Sequence, residues 1–246
     1  MKKTIPVILF FAIAIIGYMW FGYANIYNRI KAGGLKVVDS QYVYTFNTTS
    51  SQEIKYAALG DSLTAGVGAN NYEESYPYLL AEELSRNNKI ILKDFSLLGA
   101  RTEDLIDKEL LKMTVEDKPN IVTLLIGVND VRENISEKEF KNNYAYIVNE
   151  LINNTDAKIY LISIPFIGSN TLYLPPYDWY FDNKTIKFNN IIKDIASENN
   201  LTYIDIATPT EQIFKKDGTY YSIDSFHPNK NGYKILEQLI YNDINH

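Results

Sequence analysis

Cysteine is absent from the 246 residues, and histidine occurs only twice, at His227 and His246. Disulfides and thiolate metal sites are thereby excluded, and a multi-histidine zinc centre has too few ligands. Positive charge is scarce as well: 24 Lys and Arg stand against 30 Asp and Glu, a net charge of −6. No basic cluster interrupts that balance, so a nucleic-acid partner is not expected. Internal repeats are missing as well. What remains is apolar matter, 46% of residues with 13% aromatic, enough for a sizeable core.

An uncharged apolar run covers residues 5–24, after Met1-Lys2-Lys3 and Thr4. It is apolar on every side, and twenty helical residues reach about 30 Å, the thickness of a bilayer's hydrocarbon core. Tyr18, Trp20 and Tyr23 lie toward its far end, where aromatics favour the membrane interface. Two leading lysines favour a cytoplasmic amino terminus, an asymmetry that Arg29 and Lys31 reduce. Gly22-Tyr23-Ala24 would serve as a cleavage site, but a removable signal has an apolar core of only about 7–15 residues. Length therefore favours residues 1–24 as an uncleaved single-pass anchor in the cell membrane, with the rest of the chain outside the cytoplasm. Secretion after cleavage is the alternative, and a buried core helix a third reading. Residues 25–53, with Gly33-Gly34 and a polar tract at 47–52, read as a stalk in which 37–46 form a short strand or pack on the domain.

From residue 54 onward the pattern alternates. Apolar strand-like runs at 54–59, 90–95, 121–126, 159–164 and 201–206 are separated by helical patterns at 76–86, 103–111, 137–153 and 184–199. A last helix is predicted over 229–244. Ser136 and Glu139 have capping-box spacing, and Thr102 stands where a cap belongs before Glu103-Asp104. Alternating strand and helix without a long gap predicts one domain, 54–246, built on a parallel sheet covered on both faces.

Four short blocks carry the chemistry. Gly60-Asp61-Ser62-Leu63 ends the first strand and delivers a serine to the sheet's carboxyl edge, where open α/β sheets bind ligands. Gly99 follows the second strand; it eases a turn or leaves its N–H open to a substrate oxygen. Gly127-Val128-Asn129-Asp130 follows the third, and an amide there can either shape the turn or stabilise an oxyanion. Asp224-Ser225-Phe226-His227-Pro228 precedes the final helix. In a turn, Asp224 reaches the far nitrogen of His227 and fixes its tautomer, so that His227 can take the proton of Ser62. An ordinary histidine pKa near 6.5 suits that task.

Order, spacing and strand position of these blocks resemble those of the GDSL-type or SGNH hydrolases, over residue 54 to the carboxyl terminus. The resemblance implies a flavodoxin-like three-layer α/β/α sandwich with a five-stranded parallel sheet, and esterase, lipase or carbohydrate-deacetylating activity. It implies Ser62 as nucleophile, His227 as base and Asp224 as its orienting partner. The Ser62 and Gly99 N–H groups and the Asn129 side chain would form the oxyanion hole. Neither cofactor nor metal is implied. One departure is that Asp94 and Ser96 stand where many relatives carry an asparagine and a small residue ahead of the glycine. The G-x-S-x-G elbow of the common α/β-hydrolases is absent.

Substrate choice points to the aromatic stretch 171–181, where Tyr173 and Trp179 would line an acyl or glycan pocket, dip toward the membrane, or simply cover the core. Tyr72 and Tyr76 would share the rim. Membrane tethering suits lysophospholipid or other acyl-lipid esters, the reading taken first; O-acetyl groups of envelope carbohydrate are an equally physical choice. A non-catalytic acyl- or glycan-binding module of the same fold is the rival from another class, and a purely structural anchored protein a third. Oligomeric state is open.

Overall fold

The computed structural model describes residues 4–33, 43–108 and 118–245. In chain order these form α1 (Thr4–Gly33), β1 (Val43–Phe46), β2 (Glu53–Gly60), α2 (Tyr76–Leu84), β3 (Lys89–Ser96), α3 (Thr102–Lys108), β4 (Ile121–Leu125) and α4 (Val128–Arg132). Then come α5 (Glu137–Asn154), β5 (Lys158–Ile162), α6 (Tyr177–Glu198), β6 (Thr202–Ile204), α7 (Ala207–Phe214) and α8 (Lys230–Ile244). Residues 109–111 of the helix expected over 103–111 lie outside the described residues.

The strand order is β1-β3-β2-β4-β5-β6, with β1 antiparallel to β3 and every other pairing parallel. Five strands were expected, and they are the parallel ones, in flavodoxin-like order. The sixth, β1, comes from within 25–53. It pairs Phe46 with Ile90 and Val43 with Lys93, and Tyr44 stacks on Tyr72 at 5.2 Å between ring centres. Of that segment, 25–33 continue α1, and 34–42 lie outside the described residues.

All five residues of β4 are buried, as are Tyr56–Gly60 of β2. Burial on both faces is why these strands read as continuous apolar runs, since helices shield the sheet on both sides. α2 packs with α8 and β3, while α3, α5 and α6 pack in succession. Phe140 of α5 stacks on Phe188 of α6 at 4.0 Å.

Two caps differ in outcome. Ser136 Oγ accepts the Glu139 N–H at 3.2 Å, as its spacing predicts. Thr102 instead turns its hydroxyl to Asp130. α6 starts at Tyr177, seven residues before the expected start at 184, because Phe181 extends the buried stripe of Thr185, Phe188, Asn189 and Ile192 by one turn. Pro175-Pro176 and the surrounding aromatics disguise that turn as loop. α4 and α7, of five and eight residues, are too short to leave a periodic signal.

Candidate active site

Gly60 ends β2 opposite Ser96 of β3 and Leu125 of β4, so the residues after it emerge at the middle of the sheet's carboxyl edge. Only glycine fits there: a Cβ would lie 2.1 Å from Thr64 Oγ1 and 2.2 Å from the Leu125 carbonyl. Asp61 Oδ1 accepts the Leu63 N–H at 2.9 Å, and the Asp61 carbonyl accepts those of Thr64 and Ala65. These bonds wind the chain tightly around Ser62, which is buried.

His227 reaches this turn from 165 residues away in sequence. Its Nε2 lies 2.9 Å from Ser62 Oγ, and its Nδ1 lies 2.5 Å from Asp224 Oδ2. All three side chains are buried. The other Asp224 oxygen accepts the Ser222 hydroxyl at 2.7 Å and the main-chain N–H groups of Phe226 and His227, both at 2.9 Å. Burial alone would raise the Asp224 pKa, but the hydrogen bond and charge of His227, with the Ser222 and Phe226 donors, hold it at about 2. Ser225 adopts φ +60, a left-handed conformation, to close this loop.

Gly99 has φ +73, and a Cβ there would meet open space. Among the described residues, neither the Ser62 nor the Gly99 N–H is paired with an acceptor. Asn129 is the second residue of α4 and donates one amide hydrogen to the Ala100 carbonyl at 2.9 Å. Asp130 accepts the N–H and hydroxyl of Thr102 at 3.0 and 2.7 Å. The two blocks are thus locked together, and the second Asn129 amide hydrogen is left available.

Sequence reasoning placed some residues less well. Tyr72 and Tyr76, expected at a rim, are buried; Tyr76 lies 3.2 Å from Thr64 Oγ1 and Tyr72 packs under Tyr44. Tyr173 is also buried, its ring against Phe181 at 4.6 Å, so it fills the core beside the site. Trp179 is 70% exposed. Ser222 was missed because a serine beside a triad candidate has no sequence signature of its own. Asn25 and Arg29, which touch the loops around the site, were missed because residues 25–53 read as a stalk.

A sequence profile of the GDSL-like Lipase/Acylhydrolase family matches residues 58–235. The spore germination lipase LipC of Bacillus licheniformis is 28% identical over 210 residues, 75% of this chain and 93% of that protein. Among solved structures, the lipase/acylhydrolase from Enterococcus faecalis aligns with TM-score 0.63 at 22% identity, covering 78% of this chain and 95% of that one. Axe2, an acetylxylan esterase from Geobacillus stearothermophilus, aligns at 0.61 and 19%, covering 82% and 97%. The chain thus belongs to the GDSL-like lipase/acylhydrolase family and is an ester-cleaving hydrolase.

Proposed function

We propose that the protein is a membrane-anchored serine esterase acting on acyl-lipid esters through Ser62, His227 and Asp224. The observation that carries this reading is the hydrogen-bonded chain from Ser62 Oγ through His227 to Asp224. Ser62 attacks the ester carbonyl while its proton passes to His227 Nε2, and Asp224 stabilises the imidazolium. The N–H groups of Ser62 and Gly99 and the spare amide hydrogen of Asn129 hold the oxyanion. Collapse expels the alcohol with the proton from His227, leaving an acyl-Ser62 ester. Water, deprotonated by His227, then adds to that ester, and its collapse frees the acid and returns the proton to Ser62.

Anchoring is supported by α1, whose segment Val7–Lys31 is long and apolar enough to span a bilayer and whose residues 7–21 are all exposed. The lipid preference rests on that helix and on the likeness to a spore lipase. An extracytoplasmic domain follows from the leading lysines. Deacetylation of envelope carbohydrate is the second reading, favoured by the likeness to an acetylxylan esterase.

The test uses the full chain in detergent. A fluorophosphonate probe should label wild type and leave Ser62→Ala unlabelled; equal labelling of both would refute the nucleophile. Esters of rising acyl length then separate the readings: long-chain preference supports the lipid assignment, and acetyl preference the deacetylase.

A further inference from the structure

α1 does not leave the domain free. Gly22 and Ile26 are buried against it, and Asn25, Arg29 and Ile30 are half-buried, a spacing of three and four that puts them on one helix face. Asn25 Nδ2 donates to the carbonyls of Thr171 and Leu172, both at 3.0 Å. Arg29 Nη1 donates to Ser225 Oγ at 2.9 Å, and its Nε to Asn25 Oδ1 at 3.2 Å. Nearer the amino terminus, the Tyr177 hydroxyl donates to the Met19 carbonyl at 3.1 Å. A Cβ at Gly22 would come within 2.9 Å of the Tyr177 ring, so the two elements are in close contact. Three segments of the domain meet α1, and one of them is the loop that holds Asp224 and His227.

α1 therefore acts as a ruler of depth. At 1.5 Å per residue, Arg29 stands about 7 Å beyond Ala24, the end of the apolar run, and Met19 about 7 Å inside it. Headgroups occupy roughly 6 Å on each side of the hydrocarbon core. These two contacts thus bracket the interface, Ser225 at the outer edge of the headgroups and Tyr177, with the first turn of α6, among the acyl chains. The side chains beside these two contacts suit that depth. Ile223, two residues from Ser225, is 83% exposed, and Trp179, two residues from Tyr177, is 70% exposed. Trp20, Tyr23 and Tyr27 of α1 are exposed at the same heights. The acids of the turn face elsewhere: Asp178 and Asp182 line a small cavity with Lys215 on the domain side.

From these contacts we infer that the catalytic domain is docked on its own membrane helix, with a bilayer-facing surface made by Trp179, Ile223 and the α1 aromatics. The occupant of that surface is the headgroup and outer acyl layer of the membrane that α1 spans. His227, two residues from Ser225, and with it Ser62 are then held at the membrane surface, which brings the site to ester-bearing lipids of the same bilayer. This inference rests on the anchored-esterase reading and adds the geometry of access.

The cysteine-free sequence permits a direct test in the full chain. Single Ile13→Cys, Trp179→Cys, Ile223→Cys and Asn153→Cys variants would carry an environment-sensitive fluorophore in phosphatidylcholine vesicles containing doxyl-labelled lipid. Asn153, exposed near the end of α5 and at the sheet's opposite edge, is the control. Severalfold stronger lipid quenching at Ile13, Trp179 and Ile223 than at Asn153 is expected. Quenching at Ile13 with Trp179 and Ile223 no different from Asn153 would overturn the docking and leave the anchor intact. A Trp179 label shielded from water yet unquenched by lipid would mean that protein covers the surface, and would also overturn it. No quenching at Ile13 would remove the anchor and the docking together. None of these readouts depends on turnover.

Discussion

The carboxylate of Asp130 accepts both the main-chain N–H and the hydroxyl of Thr102, at 3.0 and 2.7 Å, inside the protein. This pair joins the turn that presents Gly99 to the strand end that presents Asn129. Its removal should therefore disturb the two proposed oxyanion donors without touching Ser62, His227 or Asp224.

Asp130→Ala leaves the buried Thr102 N–H without an acceptor, which costs about 1–3 kcal/mol. Urea unfolding should register that loss. In steady-state kinetics kcat should fall about tenfold or more while KM changes little, since oxyanion donors act mainly in the transition state. An unchanged kcat would separate Asp130 from the site.

Asp224→Asn should lower kcat by roughly 10³-fold or more while preserving the fold, because the imidazolium loses its partner and His227 its tautomer. The same variant tests a stability contribution. The folded Asp224 pKa, near 2, lies below its ordinary 3.8, so the carboxylate stabilises the fold above pH 4. That stabilisation, about 2 kcal/mol, is lost as pH falls from 4 through 2. The wild-type advantage over Asp224→Asn in unfolding free energy should shrink across that window.

Asp61 has the opposite sign. Burial pushes its carboxyl up to about 7, against the hydrogen bond from Leu63. The folded state thus holds a proton that the unfolded state releases near pH 4, and stability falls as pH rises from 4 to beyond 7. Glu237, raised to about 7 by burial, adds a slope of the same sign. The informative quantity is therefore the difference between variants. Asp61→Asn keeps the acceptor for Leu63 N–H and should gain on wild type in melting temperature between pH 5 and 9. A constant difference across that range would refute the assignment.

Gly60→Ala places a methyl 2.1 Å from Thr64 Oγ1 and 2.2 Å from the Leu125 carbonyl. The backbone cannot yield without moving Ser62, and destabilisation of about 2 kcal/mol or more is expected. Gly99→Ala meets open space and bears only the left-handed strain of φ +73, about 1–2 kcal/mol. Thermal unfolding of the two variants side by side should rank them in that order.

The sequence by itself determined the parallel sheet and pointed to the residues proposed for its chemistry. Strands buried on both faces must be continuous apolar runs, and Ser62, Asn129 and His227 each sit in a short block beside a strand end or a helix start. Such signals are local, so neighbouring residues suffice to read them. Tertiary structure alone decided what the aromatic residues do. Tyr72, Tyr76 and Tyr173 look like candidates for a binding rim in sequence, yet all three are buried, because whether a tyrosine faces core or solvent depends on elements distant in the chain. It alone also revealed that Arg29 meets Ser225 across 196 residues. A hydrogen bond between segments so far apart leaves no periodicity or spacing in either, and only the folded packing of α1 against the sheet's carboxyl edge brings them together.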